Sequence, residues 1–345
     1  MKVRNLLWLI IYLCLIALVL PACSRAVPKE DLPDIGKLQV GYIPIIGYAP
    51  VFVAVEKGYF AEQGLEVELQ SFNSGSLMIA PLSTGQLDVG AGETGTSLFN
   101  AIAQDLDIRV VAGLASQPPG YGATPILIRK DLVGVIDGPE DFKGRKVAIN
   151  IEHGVAEYLL AMYLAKAGLN VDDVEIVTLP IPEMGNAFAN GAIDAALQAQ
   201  PASAKSVSDG VAEILVDGDM IVDTPQNGVI YFGKRLLDPA NREIGVRYLM
   251  AYLKAARDLY GDGWRSDENA AIINKYTQVP IPAIQKGVAY YFDPNGGINT
   301  ASTESIQQYL FERGYTELEK PLPVEEIIDD TFIEETLQRI GEFSP

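Results

Sequence analysis

A duplicated pattern constrains this chain more than any other feature of it. From Leu38 onward, short β-rich runs alternate with helical ones, the order that an α/β fold with parallel strands requires. Leu38 to Tyr42 reads as a strand, Pro50 to Gly58 as a helix closed by its glycine, and Leu65 to Phe72 as a second strand. Met78 to Ser83 follows as a helix, then strands over Leu87 to Ala91 and Arg109 to Leu114. The order then recurs: Lys146 to Asn150 as strand, Ala156 to Ala167 as amphipathic helix ended by Gly168, Val174 to Leu179 as strand, Met184 to Asn190 as helix, Ile193 to Leu197 as strand. Gly85-Gln86-Leu87-Asp88 and Gly191-Ala192-Ile193-Asp194 lie 106 residues apart, and Val40 and Val147 of the two opening strands 107 apart. That offset is too long for a solenoid repeat and predicts two lobes of similar architecture.

After Gly228 the pattern changes. Val229 to Phe232 reads as a strand, and helices follow at Asn241 to Tyr260, Glu268 to Tyr276, Pro282 to Val288, Ser302 to Arg313 and Glu325 to Gly341. These are expected to return to the first lobe. Residues 38–125 plus 229–345 then make lobe 1 and residues 126–228 lobe 2, joined by crossings near Pro125 and Gly228. Two crossings form a hinge, which suits closure around a ligand.

Composition removes most alternatives. With 26 Lys and Arg against 45 Asp and Glu, the net charge is −19, so phosphate backbones would be repelled and nucleic acid is not an expected partner. One histidine, His153, and two cysteines, Cys14 and Cys23, leave little for a metal site or a thiol nucleophile. There is no G-x-S-x-G elbow, no H-E-x-x-H and no P-loop. Gly90 to Gly95 comes nearest to a phosphate cradle, but it carries Glu93 inside it and no lysine follows. His153 reads as a solvated or hydrogen-bonding loop residue. Asp172-Asp173 and Asp329-Asp330 read as helix starts or solvated faces. No catalytic residue, cofactor or metal is expected.

The N-terminus reads as an address. Lys2 and Arg4 precede an uncharged run from Leu6 to Leu20, shorter than the ~20 residues a bilayer span needs, so a secretory signal fits better. It ends in Leu20-Pro21-Ala22-Cys23, which resembles the lipobox of bacterial lipoproteins. The resemblance implies removal of residues 1–22, acylation of Cys23, a tether over 23–37, and attachment to the extracytoplasmic face of the cell membrane.

YIPIIGYAPVFVAVEKGYFAEQGLEV (42–67), LSTGQLD (82–88) and PEDFKGRKV (139–147) together resemble the substrate-binding proteins of ABC importers for nitrate, taurine, aliphatic sulfonates and thiamin pyrimidine precursors. The likeness runs from Leu38 beyond Tyr260 and lies mostly in scaffold. It implies the two-lobed periplasmic-binding-protein fold of type II and a monomer that passes its solute to a permease and ATPase. One eukaryotic branch makes the thiamin pyrimidine, but it is marked by a cysteine cluster that this chain lacks. A sensor or adhesin remains a further reading.

In open α/β sheets, ligands sit beyond the carboxyl ends of the strands. There the first lobe offers Tyr48, Asn73, Ser74, Ser76, Glu93, Thr94, Gln117 and Tyr121, and the second Asn150, Glu152, His153, Gln198 and Gln200, with Tyr231 from the return strand. The set holds no arginine or lysine. Glu93 and Glu152 oppose an anion and suit N–H or O–H donors, and Tyr48, Tyr121 and Tyr231 offer flat faces for a ring. The expected solute is therefore a neutral ring compound of vitamin type, riboflavin first. An aminopyrimidine is the next candidate, and taurine, a sulfonate or nitrate the alternative.

Overall fold

A computed structural model describes residues 36–288 and 290–344. The signal segment, Cys14, Cys23 and the tether up to residue 35 lie outside the described residues. Among the described residues, ten strands form two five-stranded sheets. In the first, β1 (Leu38–Tyr42) runs parallel to β2 (Val67–Ser71) and β3 (Val89–Gly92), and the order is β2-β1-β3-β10-β4. There β4 is Ile108–Ser116, and the return strand β10 (Gln226–Gly233) is antiparallel to both its neighbours. The second sheet repeats the scheme as β7-β6-β8-β5-β9, with β5 Ile126–Arg129, β6 Lys146–Ile149, β7 Glu175–Thr178, β8 Ala195–Leu197 and β9 Ala212–Val216. Strands β6, β7 and β8 are parallel, and β5 is the antiparallel insert.

The shared offset thus maps β1 onto β6 and β3 onto β8. Strands β5 and β9 went unread in the sequence. Both are short, neither shows clean alternation, and their pairing lies across sequence separations that no local window reports. The chain passes between sheets twice, from Ser116 to Ile126 and from Val216 to Gln226. The two crossings touch: the Gln117 N–H donates to the Pro225 carbonyl at 3.1 Å, and the Gly120 N–H to Asp219 Oδ2 at 2.6 Å.

The principal helices around the two sheets are α1 (Ala49–Glu56), α2 (Thr96–Ala103), α3 (Val155–Ala165), α4 (Arg242–Leu259), α5 (Thr300–Glu312) and α6 (Thr331–Ile340). A core in lobe 1 packs Phe52 of α1, Phe232 of β10 and Tyr248 and Tyr252 of α4. A second core is continuous across the lobes, joining Leu98 and Phe99 to Val147, Leu159 and Leu160. The expected single helix over Glu325 to Gly341 is two pieces. Ile328 leaves the helix to bridge Val110, and Asp329 N–H donates to the Val110 carbonyl at 2.8 Å, so the pair of aspartates marks a break before α6.

Helix α5 also differs from its expected place. Its Ile306 and Leu310 belong to the shared core, and its polar side reaches lobe 2. Tyr158 and Ser305 hydroxyls lie 2.8 Å apart, Tyr309 donates to Glu157 Oε1 at 2.8 Å, and both terminal nitrogens of Arg313 sit 2.7 Å from Asp172. Beyond it Tyr315 stacks on His153, ring centroids 3.8 Å apart. The C-terminal chain is therefore a strap over both lobes.

Candidate functional site

The lobes meet at the carboxyl ends of their parallel strands. Past β3, glycines let three layers approach. A Cβ at Gly92 would lie 2.9 Å from the Tyr231 Oη and 3.0 Å from Gly75 Cα, so no side chain fits there. Close packing thus accounts for Gly92. Glu93 follows, its carbonyl accepting the Tyr231 hydroxyl. Its side chain crosses to lobe 2, where Oε2 accepts the Val155 N–H at 2.9 Å. Val155 is the first residue of α3, whose N-cap is Gly154 in extended conformation. Burial holds the Glu93 carboxyl above its ordinary range, against the pull of that N–H.

The same helix end carries a second carboxylate. Glu157, buried on α3, accepts the His153 N–H at 2.8 Å and the Tyr309 hydroxyl. Thr96 of α2 adds a further crossing contact, donating to the His153 carbonyl at 3.1 Å. The positive end of α3 is therefore answered twice by the chain itself.

Below this junction, three glutamines gather on the first crossing. Gln117 Oε1 accepts the Thr124 N–H at 2.6 Å, Gln198 N–H donates to Pro125 O at 3.2 Å, and Gln200 N–H to Ala123 O at 2.9 Å. Each is buried, and Gln117 Nε2, Gln198 Oε1 and Gln200 Oε1 have no hydrogen-bond partner among the described residues. Thr94 Oγ1, 1% exposed as a residue, and Asn227 Oδ1 are unpartnered there as well. Val229 pairs with Gly92 in the antiparallel register of β10, and the paired run ends there, just before Glu93 and Thr94. A buried polar atom without a partner costs about 1–3 kcal/mol, so a cluster of them asks for an outside hydrogen-bonding group.

The other expected residues divide by place. Asn73, Ser76, Asn150 and Glu152 are exposed on the rims, and Ser74 is half-buried with its hydroxyl 2.8 Å from that of Ser76. Glu152 accepts the Thr178 hydroxyl. The tyrosines do not offer the faces expected of them. Tyr48 and Tyr231 are each 1% exposed within hydrophobic cores, and their hydroxyls are taken by the carbonyls of Ala91 (2.5 Å) and Glu93. Tyr121 packs edge-on against Tyr291, ring centroids 5.1 Å apart, beside Tyr260 and Phe292 of lobe 1. Nothing in the local sequence signals Asn227, Glu157 or the strap, because their roles arise from register and from packing between lobes.

Two α/β lobes joined by a pair of crossings, with polar groups facing each other at the strand ends, define the periplasmic-binding-protein architecture. The chain belongs to the NMT1-like family, whose sequence model matches residues 32–275. It is 26% identical over 199 residues to a putative binding protein of Brucella abortus, an alignment covering 57% of this chain and 59% of that one. This chain thus spans about three fifths of that relative's length. The taurine-binding periplasmic protein of Escherichia coli is 28% identical over 288 residues, 77% of this chain and 83% of its own. In structure the fold is that of the nitrate-binding protein NrtA from Synechocystis PCC 6803, with TM-score 0.76, 16% identity and 90% of each chain covered. A desulfurization enzyme, DSZB, shares the fold at TM-score 0.62 and 19% identity, over 88% of this chain and 99% of its own.

Proposed function

We propose that this protein is the solute-binding component of an ABC importer. It captures a small polar solute between its lobes on the outer side of the membrane and delivers it to a permease and ATPase. Cys23 is its lipid anchor. It works as a binding protein, in keeping with the binding proteins among its relatives.

The observation that carries the reading is the set of buried amide atoms of Gln117, Gln198 and Gln200, gathered on the 123–125 crossing and without a hydrogen-bond partner among the described residues. Most of these are acceptors, with the Gln117 amide as donor, so the solute brings N–H or O–H groups of its own. That favours an aminosulfonate of the taurine kind over nitrate, which has only acceptors, in keeping with the taurine-binding relative. The preference for a flavin ring loses its support, since Tyr48 and Tyr231 are core residues. Thermal denaturation against taurine, methanesulfonate, nitrate, bicarbonate and riboflavin tests it. A true solute at 100 times its Kd adds about 2.7 kcal/mol of stability. A shift with riboflavin alone, or with none of the panel, refutes the assignment.

A further inference from the structure

Two buried glutamines stand at the ends of the crossings, and they differ in how far their amides are satisfied. Gln226 opens β10, and both N–H groups and the oxygen of its amide are engaged. Its Nε2 donates to the Ala115 carbonyl at 3.0 Å and the Gly228 carbonyl at 2.8 Å, and its Oε1 accepts the Asn299 N–H at 3.0 Å. Gln117 opens the first crossing, directly after β4. Its backbone N–H ties that crossing to Pro225 of the second, and its Oε1 accepts the Thr124 N–H at 2.6 Å, folding the crossing back on itself. The Thr124 N–H also fixes which end of the amide is oxygen, because the nitrogen cannot accept. Gly218 of the second crossing closes on this contact: a Cβ there would lie 2.3 Å from Gln117 Oε1 and 2.7 Å from the Thr124 carbonyl oxygen. Gln117 is 0% exposed, and its Nε2 has no hydrogen-bond partner among the described residues. Such a donor costs free energy while it stays unpaired, so a group that pairs it is held where the two crossings are most constrained.

We infer that Gln117 couples the solute to the hinge: Nε2 donates to an oxygen of the bound solute, and Oε1 carries that contact to the Thr124 N–H and so to both crossings. The inference rests on the transport reading and deepens it. It assigns to Gln117 an acceptor group of the solute (a sulfonate, carboxylate or carbonyl oxygen) and not its ammonium. In the occupied site a continuous hydrogen-bond chain runs from the solute through the amide to the backbone of the first crossing, and an anionic oxygen at one end strengthens the bond at the other. In the empty site the same crossing lacks that support. Discrimination follows from the chemistry, since a solute with donors only finds no partner at this atom.

Two variants of the full chain test this. Gln117→Glu isolates the donor, since a carboxyl oxygen still accepts the Thr124 N–H while an ionised carboxylate donates nothing. Calorimetry with methanesulfonate and taurine is expected to show the variant at least about tenfold weaker than wild type at about pH 8, the scale of one hydrogen bond to a charged group. At about pH 5, where a buried carboxyl regains its proton and donates again, part of that loss should return. A residue that only shaped the crossing would give no such recovery. Gln117→Met removes donor and acceptor together. Amide hydrogen exchange should then show Thr124 exchanging faster without solute, and losing the protection that taurine confers on it in the wild type. Wild-type affinity in Gln117→Glu at both pH values would overturn the assignment. Tighter taurine binding in that variant at the higher pH would also overturn it, giving the position to the ammonium. Unchanged Thr124 exchange in Gln117→Met would overturn the coupling to the hinge. If Gln117→Met frees Thr124 but neither probe binds the wild type, the solute assignment falls with the transport reading while the hinge contact stands.

Discussion

The two lobes carry the same four-residue signature, and its aspartates do the same work at different depths. In lobe 1, Asp88 Oδ2 accepts the Gln39 N–H at 2.7 Å, and Oδ1 meets Arg235 Nε at 3.1 Å. In lobe 2, Asp194 Oδ2 accepts the Lys146 N–H at 3.0 Å, and Oδ1 meets Arg129 Nη1 at 3.2 Å. Each carboxylate fixes the entry of the central strand of its sheet and holds an arginine supplied by, or just after, the antiparallel insert. Gly85 and Gly191, three residues earlier, both adopt positive φ, at 76° and 73°. Yet the Asp88 side chain is 0% exposed and that of Asp194 18%, and Arg129 also serves Asp131 at 2.6 Å. Burial lifts the Asp88 carboxyl above its ordinary range despite its two partners. One motif thus carries a fully buried carboxylate in one lobe and a partly solvated one in the other, each paired with a half-buried arginine.

Breaking the motif is expected to separate the lobes energetically. Asp88→Ala removes a fully buried carboxylate and leaves the Gln39 N–H without its acceptor, at a cost of about 2–3 kcal/mol in urea denaturation. Asp194→Ala, with water and Asp131 to compensate, should cost about 1–2 kcal/mol. Equal losses would show that depth does not distinguish the two. Gly85→Ala and Gly191→Ala should be closer to each other, about 1–2 kcal/mol each, since both force a side chain into the left-handed region. A clear excess at position 85 would assign the difference to Arg235, whose Cγ lies 3.3 Å from the added Cβ.

Smaller effects sharpen the contrast further. Arg313→Ala removes the exposed fork on Asp172 by which the strap grips lobe 2, and should cost at most about 1 kcal/mol, falling with added salt. A larger loss would make the strap a principal tie between the lobes. The smallest change is in pH dependence. Because burial raises Glu93, the folded state keeps its proton to higher pH than the unfolded chain does. Its contribution is fully present below the ordinary carboxylate pKa of about 4.3 and is lost as pH rises through the folded value. Glu93→Gln should therefore flatten the stability profile over that interval. A profile that steepens instead would mean the ionised carboxylate is stabilised in place.

Much of the architecture was legible because it is written in local patterns. The parallel strands β1, β2, β3, β6, β7 and β8, and helix α3, follow from alternation and helical spacing. Glu93, Thr94, Gln198 and Gln200 were legible as strand-end residues. What failed was orientation. Tyr48 and Tyr231 stand beside the strand ends in sequence terms, but a buried tyrosine satisfied by a carbonyl and a ligand-facing one have the same local signature.

The sequence by itself determined that there would be two α/β lobes, because each half repeats strand and helix signals that act within a few residues of chain. The Gly-x-x-Asp repeat set the same strand entry in both. Only the tertiary structure decided that Glu93 spans the cleft to Val155, that α5 and Tyr315 strap one lobe to the other, and that amides without a partner among the described residues collect on the 123–125 crossing. These depend on distances between residues far apart in the chain, fixed by how two finished lobes pack and not by any pattern within either.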